Sequence, residues 1–294
     1  MTELPIVRSF KDAQGIEITF YEWPVANPKA SVQIVHGLGE HARRYDHVAA
    51  ALNREGYSVY ADDHRGHGQT GLRMTAEGIT KKQGNLGPGG MAAVFAGVRQ
   101  LSHIIVGENP EEPLVMFGHS WGSLIAQRIF NNYSDEYDAL ILSGSTLAVP
   151  GILPSSGFNK KWDATPNKTG YEWLSRDPEV GRAFLADPKN FPESALQVFG
   201  VPNTLQLLGV PSKNIDSHVP ILLIAGSDDP LGGERGNKLL LNAYRRAGVK
   251  DIEAIIYHDG RHEMVNETNK AGVLADIVAW INDRMLPTEH LDEV

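Results

Sequence analysis

Five residues, Gly118-His119-Ser120-Trp121-Gly122, follow an apolar, strand-forming run, Pro113 to Phe117, and precede Ser123 to Phe130, in which Leu124, Ile125 and Ile129 recur at helical spacing. Glycine on either side of a serine, between a strand and a helix, is the context of a nucleophile elbow. The turn crowds the backbone, glycine fits there without a Cβ clash, and the serine hydroxyl is lifted above the sheet. The bland alternative is a glycine-rich turn with a solvated serine, and the flanking strand and helix weigh against it.

A serine hydroxyl attacks a carbonyl only when a base takes its proton. That base is usually a histidine oriented by a carboxylate. The chain offers such a set at successive strand ends: Ser120, then Asp228 or Asp229 in Gly226-Ser227-Asp228-Asp229, then His262 in Asp259-Gly260-Arg261-His262. Any one of the eleven histidines is more readily a surface residue, and its place in this order is what singles out His262. Order alone leaves Asp228 and Asp229 both open. Acyl transfer also needs two donors for a developing oxyanion. The N–H of Trp121, next after the serine, supplies one, and that of Leu38, in the glycine-flanked turn His36-Gly37-Leu38-Gly39, is the natural second.

Two other chemistries compete. Gly37-x-Gly39-x-x-Ala42, with Asp62-Asp63 about twenty residues on, has the outline of a dinucleotide fingerprint. It leaves the serine elbow unexplained. Histidines at 36, 41, 64 and 67 suggest a metal, but no cysteine accompanies them, and His262-Glu263-Met264-Val265-Asn266 lacks the second histidine of a zinc motif. We therefore expect neither metal nor cofactor.

The elements that must position these groups alternate. Strands are expected at 6–11, 16–23, 31–35, 57–61, 113–117, 139–142, 220–225 and 252–257. Helices are expected at 44–55, 91–105, 123–130, 234–247 and 271–285, and the polar, glycine-bearing stretch 72–87 reads as a loop. Alternation implies an α/β fold with a mostly parallel sheet covered on both faces. The pattern breaks at Thr146. Through Ser217 the chain is dense in Pro, Gly, Asn and Asp, with short helical stretches at 177–185 and 194–199. We divide the chain accordingly into a core, 1–145 and 218–294, and an inserted, mostly helical cap, 146–217.

Composition sets the remaining bounds. Of 294 residues, 41% are hydrophobic and 21% charged, which is the range of globular proteins. A net charge of −9 makes nucleic acid an unfavourable partner. The absence of cysteine excludes disulfides and thiol catalysis. The first fifteen residues lack a basic region followed by an apolar run, and no apolar stretch approaches the roughly 18 residues of a membrane span. The expected location is cytoplasmic.

Together, His36-Gly37-Leu38-Gly39-Glu40-His41 with Arg44-Tyr45, Asp63-His64-Arg65-Gly66-His67-Gly68, Gly118 to Gly122, Gly226 to Asp229 and Gly260-Arg261-His262-Glu263 resemble the monoacylglycerol lipase and lysophospholipase group of the α/β-hydrolase superfamily. The resemblance covers nearly the whole chain. It implies a serine ester hydrolase with the triad Ser120, Asp229 and His262, oxyanion donors at Leu38 and Trp121, and Glu40 and Arg44 near the polar end of the substrate pocket. Residues 63–68 would be a structural loop. The insertion would be a mobile cap over an acyl channel, with Phe158, Trp173, Phe184, Phe199 and Leu207 covering the site. The implied partner is a small acyl ester, with transient contact to a membrane or lipid-droplet surface through the cap. Animal monoacylglycerol lipases carry a further histidine three positions after the catalytic one, and here that position is Val265. A general carboxylesterase, an aminopeptidase-like hydrolase and a non-catalytic binding protein on the same fold are the alternatives.

Overall fold

The computed structural model describes residues 4–285 except 155, 167 and 193. The outermost parts of the expected core ranges, 1–3 and 286–294, therefore lie outside the described residues. Eight strands form one sheet: β1 (Ile6–Lys11), β2 (Glu17–Trp23), β3 (Ala30–Val35), β4 (Tyr57–Asp62), β5 (Leu114–His119), β6 (Ala139–Ser143), β7 (Ile221–Gly226) and β8 (Ile252–Tyr257). Their spatial order is β1-β2-β4-β3-β5-β6-β7-β8. The β1–β2 and β2–β4 pairs are antiparallel and all others parallel. The helices are α1 (Asp46–Arg54), α2 (Gly68–Ala76), α3 (Gly90–Glu108), α4 (Trp121–Tyr133), α5 (Pro178–Ala186), α6 (Ala195–Leu205), α7 (Gly233–Ala247) and α8 (Lys270–Met285).

The central strands are buried on both faces, so they read as continuous apolar runs. Alternate residues of each serve different cores. Leu114, Met116, Leu140, Leu142, Ile221 and Leu223 pack with side chains of α3, α4 and α7. Val115, Phe117, Ala139, Ile141, Leu222 and Ile224 meet α1 and α8 on the opposite face.

Two expectations change. The stretch taken as a loop from Leu72 begins inside a helix, α2, and the irregular part starts only at Glu77. The carboxylate of Asp63 accepts from the backbone of Gln69 in its first turn (2.7 Å), and Gly71 packs so closely on Gly66 that a side chain there would overlap its carbonyl. Tertiary contacts thus overrule weak helix propensity. Secondly, α3 is a 19-residue helix that is apolar enough to match a membrane span in length and composition. Here it is a core helix: Val94, Val98, Leu101 and Ile105 are buried against the sheet.

Residues 146–217 run from the end of β6 to the start of β7 and hold α5 and α6. Gly200, at φ 71°, kinks α6 two residues before Pro202. Part of this segment belongs to the main core, since Phe191, Val198, Phe199, Leu207 and Ile215 pack within the same cluster as α3 and α4.

Candidate active site

The polar strand ends meet above the carboxyl edge of the sheet, where open α/β sheets place their sites. Ser120 stands between β5 and α4 with φ 54° and ψ −123°, a backbone conformation that costs on the order of 1–3 kcal/mol. Neighbouring bonds hold it there. Its N–H donates to the carbonyl of Ser143 (2.9 Å), and the Ser120 carbonyl accepts from the Ser123 hydroxyl (2.5 Å). Gly122 explains the second glycine of the motif: a Cβ there would overlap the carbonyl oxygens of Val35 and His36, so α4 could not approach β3.

The loops after β7 and β8 are pinned together. Ser227 N donates to Tyr257 O and Asp228 N to Gly260 O, both at 2.9 Å. This brings Asp229 Oδ1 to 2.9 Å from His262 Nδ1, with both side chains almost fully buried. The same oxygen accepts from the Leu231 N–H at 2.8 Å, while Oδ2 is buried without a hydrogen-bond partner among the described residues. Asp228 turns away and pairs with Lys161 at 2.6 Å, partly exposed. Burial pulls the His262 pKa down, but the charge and hydrogen bond of Asp229, then the charges of Glu263 and Glu40, outweigh it, and the net shift is upward. The far nitrogen, Nε2, is buried and has no hydrogen-bond partner among the described residues.

The loop after β3 flanks Ser120. A Cβ built on Gly37 would lie 3.1 Å from Ser120 Cβ, which puts the Gly37–Leu38 peptide beside the hydroxyl. Trp121 opens α4, where the first N–H groups have no partner within the helix. Trp121 follows Ser120 directly in the chain, and Leu38 follows Gly37, the residue that approaches it.

Glu40 and Arg44 have internal partners. Glu40 Oε1 accepts from Gly37 N (2.6 Å) and the Tyr45 hydroxyl (2.8 Å), while its Oε2 meets Arg44. Arg44 also forms a two-pronged bond to Glu263 at 2.7 and 2.8 Å. Burial alone would raise the Glu263 pKa, but the Arg44 guanidinium holds it down to about 2. These residues brace the loop after β3 against the neighbour of His262. Val265, at the position of the further histidine of animal monoacylglycerol lipases, is buried in the core, and its carbonyl meets His47 Nε2 at 2.8 Å.

The polar side chains of residues 63–67 bond within the protein. The Asp63 carboxylate, fully buried, accepts from Ala42 N, Gln69 N and the Tyr21 hydroxyl. Its oxygens are thus engaged within the protein. The rings of His64 and His67 pack against Trp121, and His36 packs against both histidines. Among the described residues no three His, Asp or Glu side chains form a group fit for a metal ion.

Three further residues adjoin His262; the sequence reading expects Trp173 over the site, whereas it gives His119 and Gly144 no role there. His119, inside the elbow motif, lies 4.8 Å from His262, ring to ring; burial first, and then the His262 charge, push its own pKa down to about 3. Gly144, at φ 54°, leaves room for the imidazole, since a Cβ there would sit 3.0 Å from Nδ1. The indole of Trp173 lies 4.8 Å away. The Ser143-Gly144-Ser145 turn was visible as a strand end, but its contact with a residue over a hundred positions on was not. Of the other side chains expected over the site, Phe158 stacks on Trp173 (5.0 Å), Phe199 on Trp121 (4.9 Å), and Phe184 lies under the Arg44 guanidinium (5.2 Å). Leu207 sits in the main core instead.

Comparison with known proteins gives a consistent picture. Residues 26–269 match the family Hydrolase_4, described as serine aminopeptidase, S33. A monoacylglycerol lipase of Mycolicibacterium smegmatis is 31% identical over 288 residues, covering 93% of this chain and 95% of the relative. The monoglyceride lipase of Mus musculus is 28% identical, covering 90% of this chain and 86% of that protein. Among solved structures, a thermostable carboxyl esterase from Bacillus coagulans, in complex with glycerol, superimposes with a TM-score of 0.82 at 25% identity, covering 97% of this chain and all of that one.

Proposed function

We propose, from the premise that the chain belongs to the Hydrolase_4 family of α/β-hydrolases, that Ser120, His262 and Asp229 form the triad of a serine hydrolase cleaving carboxylic esters of the monoacylglycerol type. The observation that carries the residue assignment is the buried bond from His262 Nδ1 to Asp229 Oδ1, with the imidazole 4.8 Å from the ring of His119, the residue next to the strained Ser120. Ser120 Oγ attacks the acyl carbonyl as His262 Nε2 takes its proton. The N–H groups of Leu38 and Trp121 receive the oxyanion. His262 then returns the proton to the departing alcohol, leaving an acyl-enzyme on Ser120. Water, deprotonated by the same imidazole, releases the acid.

Residues 146–217 serve in this proposal as the cap of an acyl channel. Trp173, Phe184 and Phe199 pack on His262, Arg44 and Trp121, with Phe158 against Trp173, and supply apolar surface. Five of the ten large apolar side chains exposed among the described residues, Leu185, Leu196, Val201, Leu205 and Val210, lie on this segment. Such a patch suits transient contact with a membrane or lipid droplet from the cytoplasm. Glu40 and Arg44 act on the substrate's polar end indirectly, by fixing the Gly37–Leu38 loop.

The test is hydrolysis of p-nitrophenyl esters and monoacylglycerols across chain lengths. Each buried CH₂ is worth roughly 0.8 kcal/mol, so kcat/KM should climb about fourfold per carbon until the channel ends. A preference for acetate over octanoate esters would replace the lipid reading with a small-substrate carboxylesterase. Turnover of an amino-acyl anilide without ester turnover would make the enzyme an aminopeptidase. A fluorophosphonate should label Ser120, and Ser120→Ala should lose on the order of a million-fold in kcat. Labelling at another serine would remove the triad assignment.

A further inference from the structure

Trp173 belongs by position to the insertion, yet its bonds are to the loop that carries His262. Its carbonyl accepts from His262 N at 3.2 Å, and that of Leu174 accepts from Glu263 N at 2.8 Å. The Arg261 guanidinium donates to the carbonyls of Glu172 and Ser175. The Glu267 carboxylate receives Arg176 through both its backbone N and its Nε, each at 3.0 Å. Residues 172–176 are thus strapped to residues 261–267. The strap lays the Trp173 indole 4.8 Å from the imidazole, ring centre to ring centre, with Phe158 stacked on it. A cation within about 6 Å of an indole centroid is attracted to the ring.

We propose that Trp173 is a positioning residue for the base. Held by the strap, its indole fixes the His262 ring in line with Asp229 and favours the imidazolium that forms when Ser120 gives up its proton. The proposal rests on the triad reading above. The other groups facing His262 are Asp229, Glu263, Glu40 and His119, with Arg44 paired to both glutamates.

Two replacements separate positioning from mere channel wall. Trp173→Leu keeps an apolar cover and removes the ring, whereas Trp173→Phe keeps a ring. The substrate is p-nitrophenyl acetate, whose acyl group is too short to sample a channel, and kcat and kcat/KM are followed against pH. Trp173→Leu should lose about tenfold or more in kcat, and its acid limb should move down by about half a unit or more, because the imidazolium loses a favourable neighbour. Trp173→Phe should stay within about threefold, with the acid limb unmoved. If Trp173→Leu does not fold, Trp173→Met, also apolar and ringless, gives the same readout. Unchanged kcat and acid limb in the ringless variant, with a change confined to KM for long acyl esters, would overturn the proposal. Failure of the triad reading would look different: His262→Ala would stay active, or the fluorophosphonate would label another serine on the unsubstituted enzyme.

Discussion

Replacing Asp229 with asparagine tests the electrostatics of the site more finely than removing the serine. In a related triad this change costs about ten-thousand-fold, because the amide turns its NH₂ toward the histidine and traps the wrong tautomer. Here the outcome should be milder. Asp229 Oδ1 accepts from two donors, His262 Nδ1 and the Leu231 N–H. An amide that put its NH₂ at that point would face Leu231 donor to donor, so its oxygen stays there and the tautomer survives. What is lost is the charge. Two unit charges about 4 Å apart attract by roughly 4 kcal/mol at an effective dielectric of 20. The neutral bond that remains offsets part of this, so two to three orders of magnitude in kcat should disappear. Asp229→Ala also strands two buried donors, at about 1–3 kcal/mol each, and should lose about four orders or more by the same reckoning. Asp228→Asn breaks only a partly exposed pair with Lys161, worth about 0–1 kcal/mol, and should lose less than about fivefold. The assay is the pH dependence of ester hydrolysis for all three variants, with circular dichroism to confirm folding. The base works when neutral, so kcat/KM of the parent enzyme rises through a His262 pKa shifted upward. Without the carboxylate that limb moves to lower pH. Equal losses for the asparagine and alanine variants would refute the pinned-oxygen argument, and a larger loss in Asp228→Asn than in Asp229→Asn would move the acid to Asp228.

Acid should weaken the fold before carboxylates are protonated. Burial, ahead of neighbouring charges, holds His67 and His119 down to about 3, whereas the unfolded chain takes up these protons near pH 6.5. Stability is therefore full above 6.5 and falls below it, by about 2 kcal/mol for each histidine at pH 5; a urea midpoint unchanged between pH 7 and 5 would contradict this. Gly122→Ala should yield little folded protein, because the added Cβ meets backbone oxygens of β3, which cannot move aside. Normal Tm and activity in that variant would show that α4 has slack.

The strands and most helices were readable because burial on both faces leaves unbroken apolar runs, as in Leu114 to Phe117 and Ile221 to Ala225. The helix α2 was not, since its two glycines are there for close packing on Gly66 and Asp63 and locally signal a loop. Ser120 and His262 stood out by motif and order. The choice between Asp228 and Asp229 needed either the family resemblance or the direction each side chain takes in the turn. Glu40 and Arg44 were named only through the family resemblance, and Glu263, the second carboxylate that Arg44 binds, lies 219 residues beyond it. Trp173 and His262 are separated by 89 positions, and nothing in the spacing of either predicts a ring contact.

The strap between residues 172–176 and 261–267 sets a rule for recombination among such enzymes. A chimaera that exchanges the whole stretch 146–217 for that of a relative also exchanges the carbonyls that anchor His262 and Glu263 and the indole beside His262. A donor segment would then alter turnover while intended to alter only chain-length preference. Grafts are better made as two pieces, one ending before Glu172 and one starting after Arg176. The five residues between them stay with the recipient, as part of its catalytic framework rather than of its exchangeable lid.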